Sequence, residues 1–142
     1  MSILKVFNKN GTGPRELVLD TESTGILVSD GHRLVEIALV EMINHKPTGR
    51  ELHVLVNPER DIPAEVVKIH GISNETIKDA PKFSEVAKEI REFIGNDPVI
   101  ITCRTKDGYT LDIDQLNNEL TKAGETEVPA SHWINVRRWS EV

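Results

Sequence analysis

The chain has 142 residues, of which 38% are apolar, and this size fits one compact α/β domain with its own core. Its 23 acidic and 17 basic residues give a formal net charge of -6, which excludes a protein that coats nucleic acid through a global positive field. A single cysteine, Cys103, excludes an internal disulfide and a cysteine-based zinc cluster. No apolar run is long enough to span a membrane, so we expect a cytoplasmic protein without a membrane partner.

The first 14 residues combine a short apolar patch with a turn-rich connector that contains Gly11, Gly13 and Pro14. They are interpreted either as a tail or as an added edge strand, and the sequence does not choose between the two. Residues 15–142 are expected to form the domain proper. Its opening strand is predicted over residues 16–20.

That strand ends in an acidic pair, Asp20 and Glu22. Because alternate residues of a strand point to the same face, both carboxylates are expected on one side. Two like charges at the edge of a core repel each other, and a cation between them relieves the repulsion. An apolar strand before the pair and a Ser-Thr-Gly turn after it favour a Mg²⁺ or Mn²⁺ site over two solvated acids.

Two further strands are predicted over residues 33–43 and 51–56, with a turn at residues 46–49 between them. Three strands joined by short turns predict an antiparallel meander. Helical signals follow. A proline-started helix is predicted over residues 62–71, and Ser73 can cap a further helical turn that ends at Ile77. An amphipathic helix is predicted over residues 83–94, with Gly95 after it.

The last part of the chain alternates between strand and helix signals. The run 98–103 is expected to be a strand buried on both faces, residues 104–110 a loop, and residues 112–123 a helix that stops at Gly124. A final strand is predicted over residues 133–139. This order of elements predicts a mixed sheet covered by helices.

Several segments, taken in order and spacing, resemble the DnaQ-like (DEDDh) 3′-to-5′ exonucleases, a family that includes proofreading subunits of bacterial DNA polymerases. The segments are Leu19-Asp20-Thr21-Glu22-Ser23-Thr24-Gly25, Val35-Glu36-Ile37-Ala38, Asn57-Pro58, Ile69-His70-Gly71-Ile72-Ser73 and Leu116-Asn117-Asn118-Glu119-Leu120. The resemblance implies an α/β, ribonuclease H-like fold, with helices packed on a mixed five-stranded sheet. It also implies two-metal hydrolysis of the terminal phosphodiester of a nucleic acid.

The resemblance gives roles to individual residues. Asp20 and Glu22 would be catalytic ligands of Mg²⁺ or Mn²⁺, which are hard cations that prefer oxygen ligands. The residues that would contact the terminal nucleotide are Ser23, Thr24, Gly25, Ile69 and His70. For His70 an equally weighted interpretation is a helix-end histidine that satisfies backbone carbonyls.

A third catalytic carboxylate has two candidates. The family's second motif has no literal copy here. Counting forward from the fourth strand selects Asp107, whereas counting back from Leu116 selects Asp112. Asp112 is preferred as the third metal ligand, because it begins a helix and so has the rigid support that a ligand needs.

The family's third motif, a histidine and then an aspartate on a helix after the last strand, has no counterpart in this sequence. His132 precedes that strand, and Glu141 stands at a terminus. The general base, the fourth carboxylate and the C-terminal helix are therefore expected to be missing.

We expect a metal-dependent 3′-to-5′ exonuclease domain of reduced activity, or an inactive nucleic-acid-binding or scaffold module of the same fold. The partner would be a single-stranded or frayed 3′ end of DNA, with RNA left open. Without a terminal helix, Trp133, Ile134 and Trp139 would be partly uncovered, which suggests a homodimer or a protein partner on the last strand.

Overall fold

A computed structural model describes residues 14–101 and 111–135 of the chain. In these two ranges, five strands form one mixed sheet in the order β3-β2-β1-β4-β5. The strands are β1 (Arg15–Ser23), β2 (Leu34–Ile43), β3 (Lys46–Leu55), β4 (Val99–Ile101) and β5 (Trp133–Asn135). β1 to β3 pair antiparallel, whereas β4 pairs parallel to both β1 and β5. The predicted meander and mixed sheet are confirmed.

The described ranges also contain four α-helices, which are α1 (Ala64–His70), α2 (Asn74–Ile77), α3 (Phe83–Ile94) and α4 (Leu111–Lys122). Residues predicted to begin or end a helix stand at the ends of α1 and α2. Ser73 Oγ accepts a hydrogen bond from the Thr76 amide at 3.2 Å, which caps α2. Gly71 follows α1 with φ +77°, a conformation that glycine adopts without steric cost.

The predicted turn at residues 46–49 is wrong. The chain reverses two residues earlier, at Asn44 and His45, which have φ values of +52° and +64°. A two-residue turn with positive φ at both positions matches the twist of the strands on either side, so β3 begins directly at Lys46. Pro47 is tolerated there because β3 stands at the edge of the sheet.

The main core lies between one face of the sheet and helices α3 and α4. Leu17 and Leu19 of β1 are completely buried in it, together with Ile90 of α3 and Leu116 of α4. A second, smaller apolar cluster joins Val35 of β2 to α2 and to the segments that flank α1. β1 is therefore the central strand of the sheet, with a strand on each side and helices on one face.

β4 differs in part from its prediction, because Val99 and Ile101 are buried but Ile100 is only half-buried. Several predictions fall outside the described residues: most of the 1–14 segment, Cys103, the 104–110 loop with Asp107, and residues 136–142 with Trp139 and Glu141. Trp133 and Ile134 are half-buried. In the two described ranges, no helix has the length and apolar character needed to cross a membrane.

Candidate active site

Asp20 and Glu22 stand near the carboxyl end of β1, on the face opposite to the buried leucines of that strand. Asp20 is exposed and Glu22 is partly buried. Across the neighbouring strand β2, Glu22 pairs directly with Glu36. The predicted strand thus places both carboxylates on one face, in surroundings that are already acidic.

The carboxylates act on one another. Burial raises the pKa of Glu22 above its usual value, and the negative charges of Asp20, Glu36 and Asp112 raise it further, while His70 works in the opposite direction. Such influence requires short separations. Asp112, which comes from a different element, is therefore part of the same acidic group.

Asp112 occupies the first turn of α4, where the hydroxyl of Thr21 donates a hydrogen bond to its Oδ1 atom. Burial raises the pKa of Asp112, the hydrogen bond from Thr21 opposes this effect, and the charge of Asp20 adds to it. The structure therefore brings Asp112 to the carboxyl end of β1. Asp107, the alternative third ligand, lies outside the described residues.

The donor chemistry of this acidic group fits a hard divalent cation, because three carboxylates that repel one another supply only oxygen ligands. The side-chain arrangement is not that of a closed metal site. Among residues 14–101 and 111–135, no three His, Cys, Asp or Glu side chains are grouped so that they could hold an ion. The role of Asp20, Glu22 and Asp112 as metal ligands remains a prediction.

The turn after β1, residues 23–26, is called the site turn below. Within it Thr24 is completely buried, with 0% of its surface exposed. Its Oγ1 atom accepts a hydrogen bond from the Arg33 amide at 3.1 Å and lies 2.9 Å from His32 Nδ1. Thr24 therefore anchors the site turn, and in this structure it offers no surface for contact with a nucleotide.

Gly25 is required by close approach rather than by an unusual φ. A Cβ atom built there would lie 2.4 Å from the imidazole ring of His32, which is closer than real Cβ contacts come. The Gly25 carbonyl accepts hydrogen bonds from Ser23 Oγ at 2.6 Å and from Gln115 Nε2 at 2.8 Å. Sequence reasoning missed His32 and Gln115, because both are defined by contacts with this turn and not by a motif.

His70 contacts the site turn directly. Its Nδ1 accepts a hydrogen bond from the Ile72 amide at 3.0 Å, so its Nε2 carries the proton and donates to the Ser23 carbonyl, also at 3.0 Å. His70 therefore satisfies backbone groups at a helix end, and one of those groups belongs to the site turn. Its contact with a terminal nucleotide stays a prediction.

Large apolar side chains are exposed in the two segments that this contact joins. Ile69, next to His70, has 81% of its surface exposed, and Ile26 in the site turn has 60% exposed. Leu27 follows with 36%. The sequence contains a signal that could have identified Ile26 and Leu27 as functional candidates. They are an apolar pair directly after a turn glycine, a place where exposure to solvent should favour polar residues.

Comparison with known sequences assigns the family. Residues 17–141 match the sequence profile of the RNase_T family, described as exonuclease. Because this match covers most of the chain, the chain belongs to that exonuclease family, and the predicted membership of the DnaQ-like exonucleases is confirmed.

The chain is similar to subunits of a DNA polymerase. DNA polymerase III subunit epsilon of Rickettsia prowazekii is 45% identical over 114 residues, which are 80% of this chain and 48% of that protein. The epsilon subunit of Escherichia coli K12 is 38% identical over 91 residues, 61% of this chain and 37% of that protein. The chain thus spans about half the length, or less, of these curated relatives.

Solved structures agree on the fold. Product-bound exonuclease I superposes with a TM-score of 0.75 over 90% of this chain and 31% of its own, at 12% identity. Exonuclease X in complex with 5′ overhanging duplex DNA gives a TM-score of 0.58 over 87% of this chain and 63% of its own, at 23% identity. The predicted ribonuclease H-like α/β fold is confirmed.

Proposed function

We propose that this chain is the nuclease domain of a metal-dependent 3′-to-5′ exonuclease, which removes nucleotides from the 3′ end of DNA. The observation that carries the proposal is the meeting of Asp112 on α4 with Asp20 and Glu22 on β1, where the charge of Asp20 raises the pKa of both other carboxyls. Three carboxylates that repel one another are unfavourable without a cation.

Asp20, Glu22 and Asp112 would hold Mg²⁺ or Mn²⁺. When bound, such ions supply an activated water and neutralise charge on the phosphate. The chain's own residues orient these ligands: β1 fixes the spacing of the first two, and the Thr21 hydroxyl orients Asp112. His70 holds the site turn by its bond to the Ser23 carbonyl.

The substrate we infer is a single-stranded or frayed 3′ DNA end. Exposed Ile26 and Ile69 are apolar surfaces on which an unpaired base can pack, whereas a paired base has its faces covered by its neighbours. Relatives named as DNA polymerase III subunits support DNA over RNA, a polymerase as the partner and a cytoplasmic location.

A second candidate function is an inactive module of the same fold that binds nucleic acid or a protein. It is favoured by one observation: in the part of the chain that the structure describes, no three side chains form a metal-ready group. Binding of a labelled single strand without cleavage would identify this candidate.

The deciding experiment is a Mn²⁺ titration of the purified chain with a 3′-labelled single strand. Asp112→Asn is compared with Asp114→Asn, because both acids lie in the first turn of α4 and Asp114 is exposed. We expect Asp112→Asn to reduce label release by about 100-fold, since loss of a ligand should cost no less than loss of its supporting contacts. Asp114→Asn should stay within about twofold of the unmodified chain.

Two outcomes contradict the proposal. No release of label at any Mn²⁺ concentration removes the exonuclease function, and equal losses in the two variants remove the role of Asp112. Asp107→Asn, measured in parallel, decides between the two candidates for the third ligand.

A further inference from the structure

Gln115 is a polar side chain in an apolar position. It lies on α4 beside Leu116, one helical turn after Asp112, and only 3% of its surface is exposed. Residues at spacing i and i+3 share a helix face, so Gln115 and Asp112 face the same region.

The amide of Gln115 reaches out of the helix to the site turn. Its Nε2 donates to the Gly25 carbonyl at 2.8 Å and to the Ile26 carbonyl at 3.1 Å. Because carbonyls only accept hydrogen bonds, the amide group must point its nitrogen toward them. One side chain therefore bonds two consecutive carbonyls of a turn that is distant in sequence.

The same amide is poorly satisfied at its other end. Gln115 Oε1 is buried and has no hydrogen-bond partner in the structure. An unsatisfied buried acceptor opposes folding, and a leucine of similar size would avoid that penalty while packing against the core. The stabilisation from the two Nε2 hydrogen bonds is therefore partly offset at Oε1.

The site turn is held from a second direction by His32. The imidazole ring packs against Gly25, and its Nδ1 lies 2.9 Å from the Thr24 hydroxyl. With Gln115 bonding the carbonyls and His32 filling the space beside Gly25, the turn is fixed from both sides. The Gln115 contact links it to the helix that carries Asp112.

We propose that Gln115 is a positioning residue, which fixes the site turn relative to Asp112 so that a 3′-terminal nucleotide and the third carboxylate meet in one geometry. The proposal rests on the proposed function of this site. A purely structural residue would affect stability alone, whereas Gln115 in this role also affects how the nucleotide is bound.

The test substitutes Gln115→Leu and Gln115→Met, two apolar replacements of similar size. The matched control is Asn117→Leu, because Asn117 is an amide on the same helix whose bonds go to the Val128 backbone instead of the site turn. Three quantities are measured: the free energy of unfolding, the NMR order parameters of the amides of residues 25–27, and the Kd of thymidine 5′-monophosphate with Mn²⁺.

For both Gln115 variants we expect a small change in stability, because the loss of two hydrogen bonds is offset by removal of the unsatisfied Oε1. The order parameters should fall from about 0.85 to below about 0.6. The Kd of the nucleotide should rise by about tenfold, as loss of two hydrogen bonds allows, with the same factor lost from kcat/KM on the labelled strand. Asn117→Leu should lower stability and leave the other quantities unchanged.

Unchanged order parameters in both Gln115 variants overturn the proposal, whatever their stability. Unchanged nucleotide affinity and kcat/KM together with a loosened turn overturn it as well. If the unmodified chain releases no label, the proposed function fails separately, while the order parameters still decide whether Gln115 fixes the turn.

Discussion

At the scale of single residues, the carboxylates of Asp20, Glu22 and Asp112 lower the stability of the fold in the ionised form that a metal ligand needs. Burial and the charge of Asp20 raise the pKa of Asp112, so the ionised form is disfavoured in the folded protein. A neutral group or a bound cation removes this effect. The same side chain is thus the preferred third ligand and a source of instability when no metal is bound.

This effect predicts how Asp112→Asn affects stability in EDTA. A carboxyl whose folded pKa exceeds its usual 3.8 contributes stability below that value and loses the contribution as pH rises through the folded pKa. We therefore expect Asp112→Asn to be more stable than the unmodified chain at about pH 7. The gain should vanish near pH 3, as measured by urea unfolding. A variant less stable at neutral pH would contradict the pKa direction.

At the scale of elements, Arg15 bonds the C-terminal end of α3 to the sheet, at the end of β1 away from the site. Arg15 Nη2 donates to the Phe93 carbonyl at 2.7 Å and Nη1 to Asp97 at 2.8 Å, and its Nε bonds Glu41 at 2.5 Å. Glu41 is 5% exposed. The last carbonyls of α3, which no helical amide can satisfy, are thus bonded from β1.

Glu41 gives this junction a pH dependence. Burial alone would raise the pKa of Glu41, but hydrogen bonds from Arg15 and Thr48 and the charges of Arg15 and Arg50 outweigh it, so the pKa lies below 4.5. A depressed pKa means stability that is present above the unfolded value and lost as pH falls through the folded one.

We expect Glu41→Gln to lower the free energy of unfolding by about 2 kcal/mol near pH 7, because charged hydrogen bonds are lost. The difference from the unmodified chain should shrink toward pH 3, as followed by urea titration at several pH values. A difference that stays constant with pH would show that the Glu41 charge is not responsible.

At the scale of the whole molecule, the net charge of -6 opposes a polyanionic substrate. Asp20, Glu22 and Glu36 add local repulsion at the site itself. Divalent ions reverse the local sign. Binding of DNA should therefore depend on the ion as well as on ionic strength.

We predict that a labelled single strand binds at least tenfold more weakly in EDTA than in Mn²⁺, in anisotropy titrations at constant ionic strength. The double substitution Asp20→Asn and Glu22→Gln should tighten binding in EDTA, because two repelling charges are removed, while abolishing cleavage. Equal affinities of the unmodified chain with and without Mn²⁺ would contradict this role of the ion.

The predicted homodimer, or a partner on the last strand, is tested by mass in solution at high protein concentration.

The sequence alone determined the order of elements, the amphipathic face of α3 and the pairing of Asp20 with Glu22, because each depends on local periodicity or on alternation within one strand. It misplaced the β2–β3 turn, since the positive φ values of Asn44 and His45 carry no glycine signal. Only the tertiary structure decided that Thr24 is an anchor, that His32 fills the space beside Gly25, and that Gln115 bonds the site turn. The Gln115 contact joins segments far apart in the chain and depends on the packing of α4 against β1. The contacts of Thr24 and His32 close the irregular connection between β1 and β2, and no periodic pattern specifies either kind of contact.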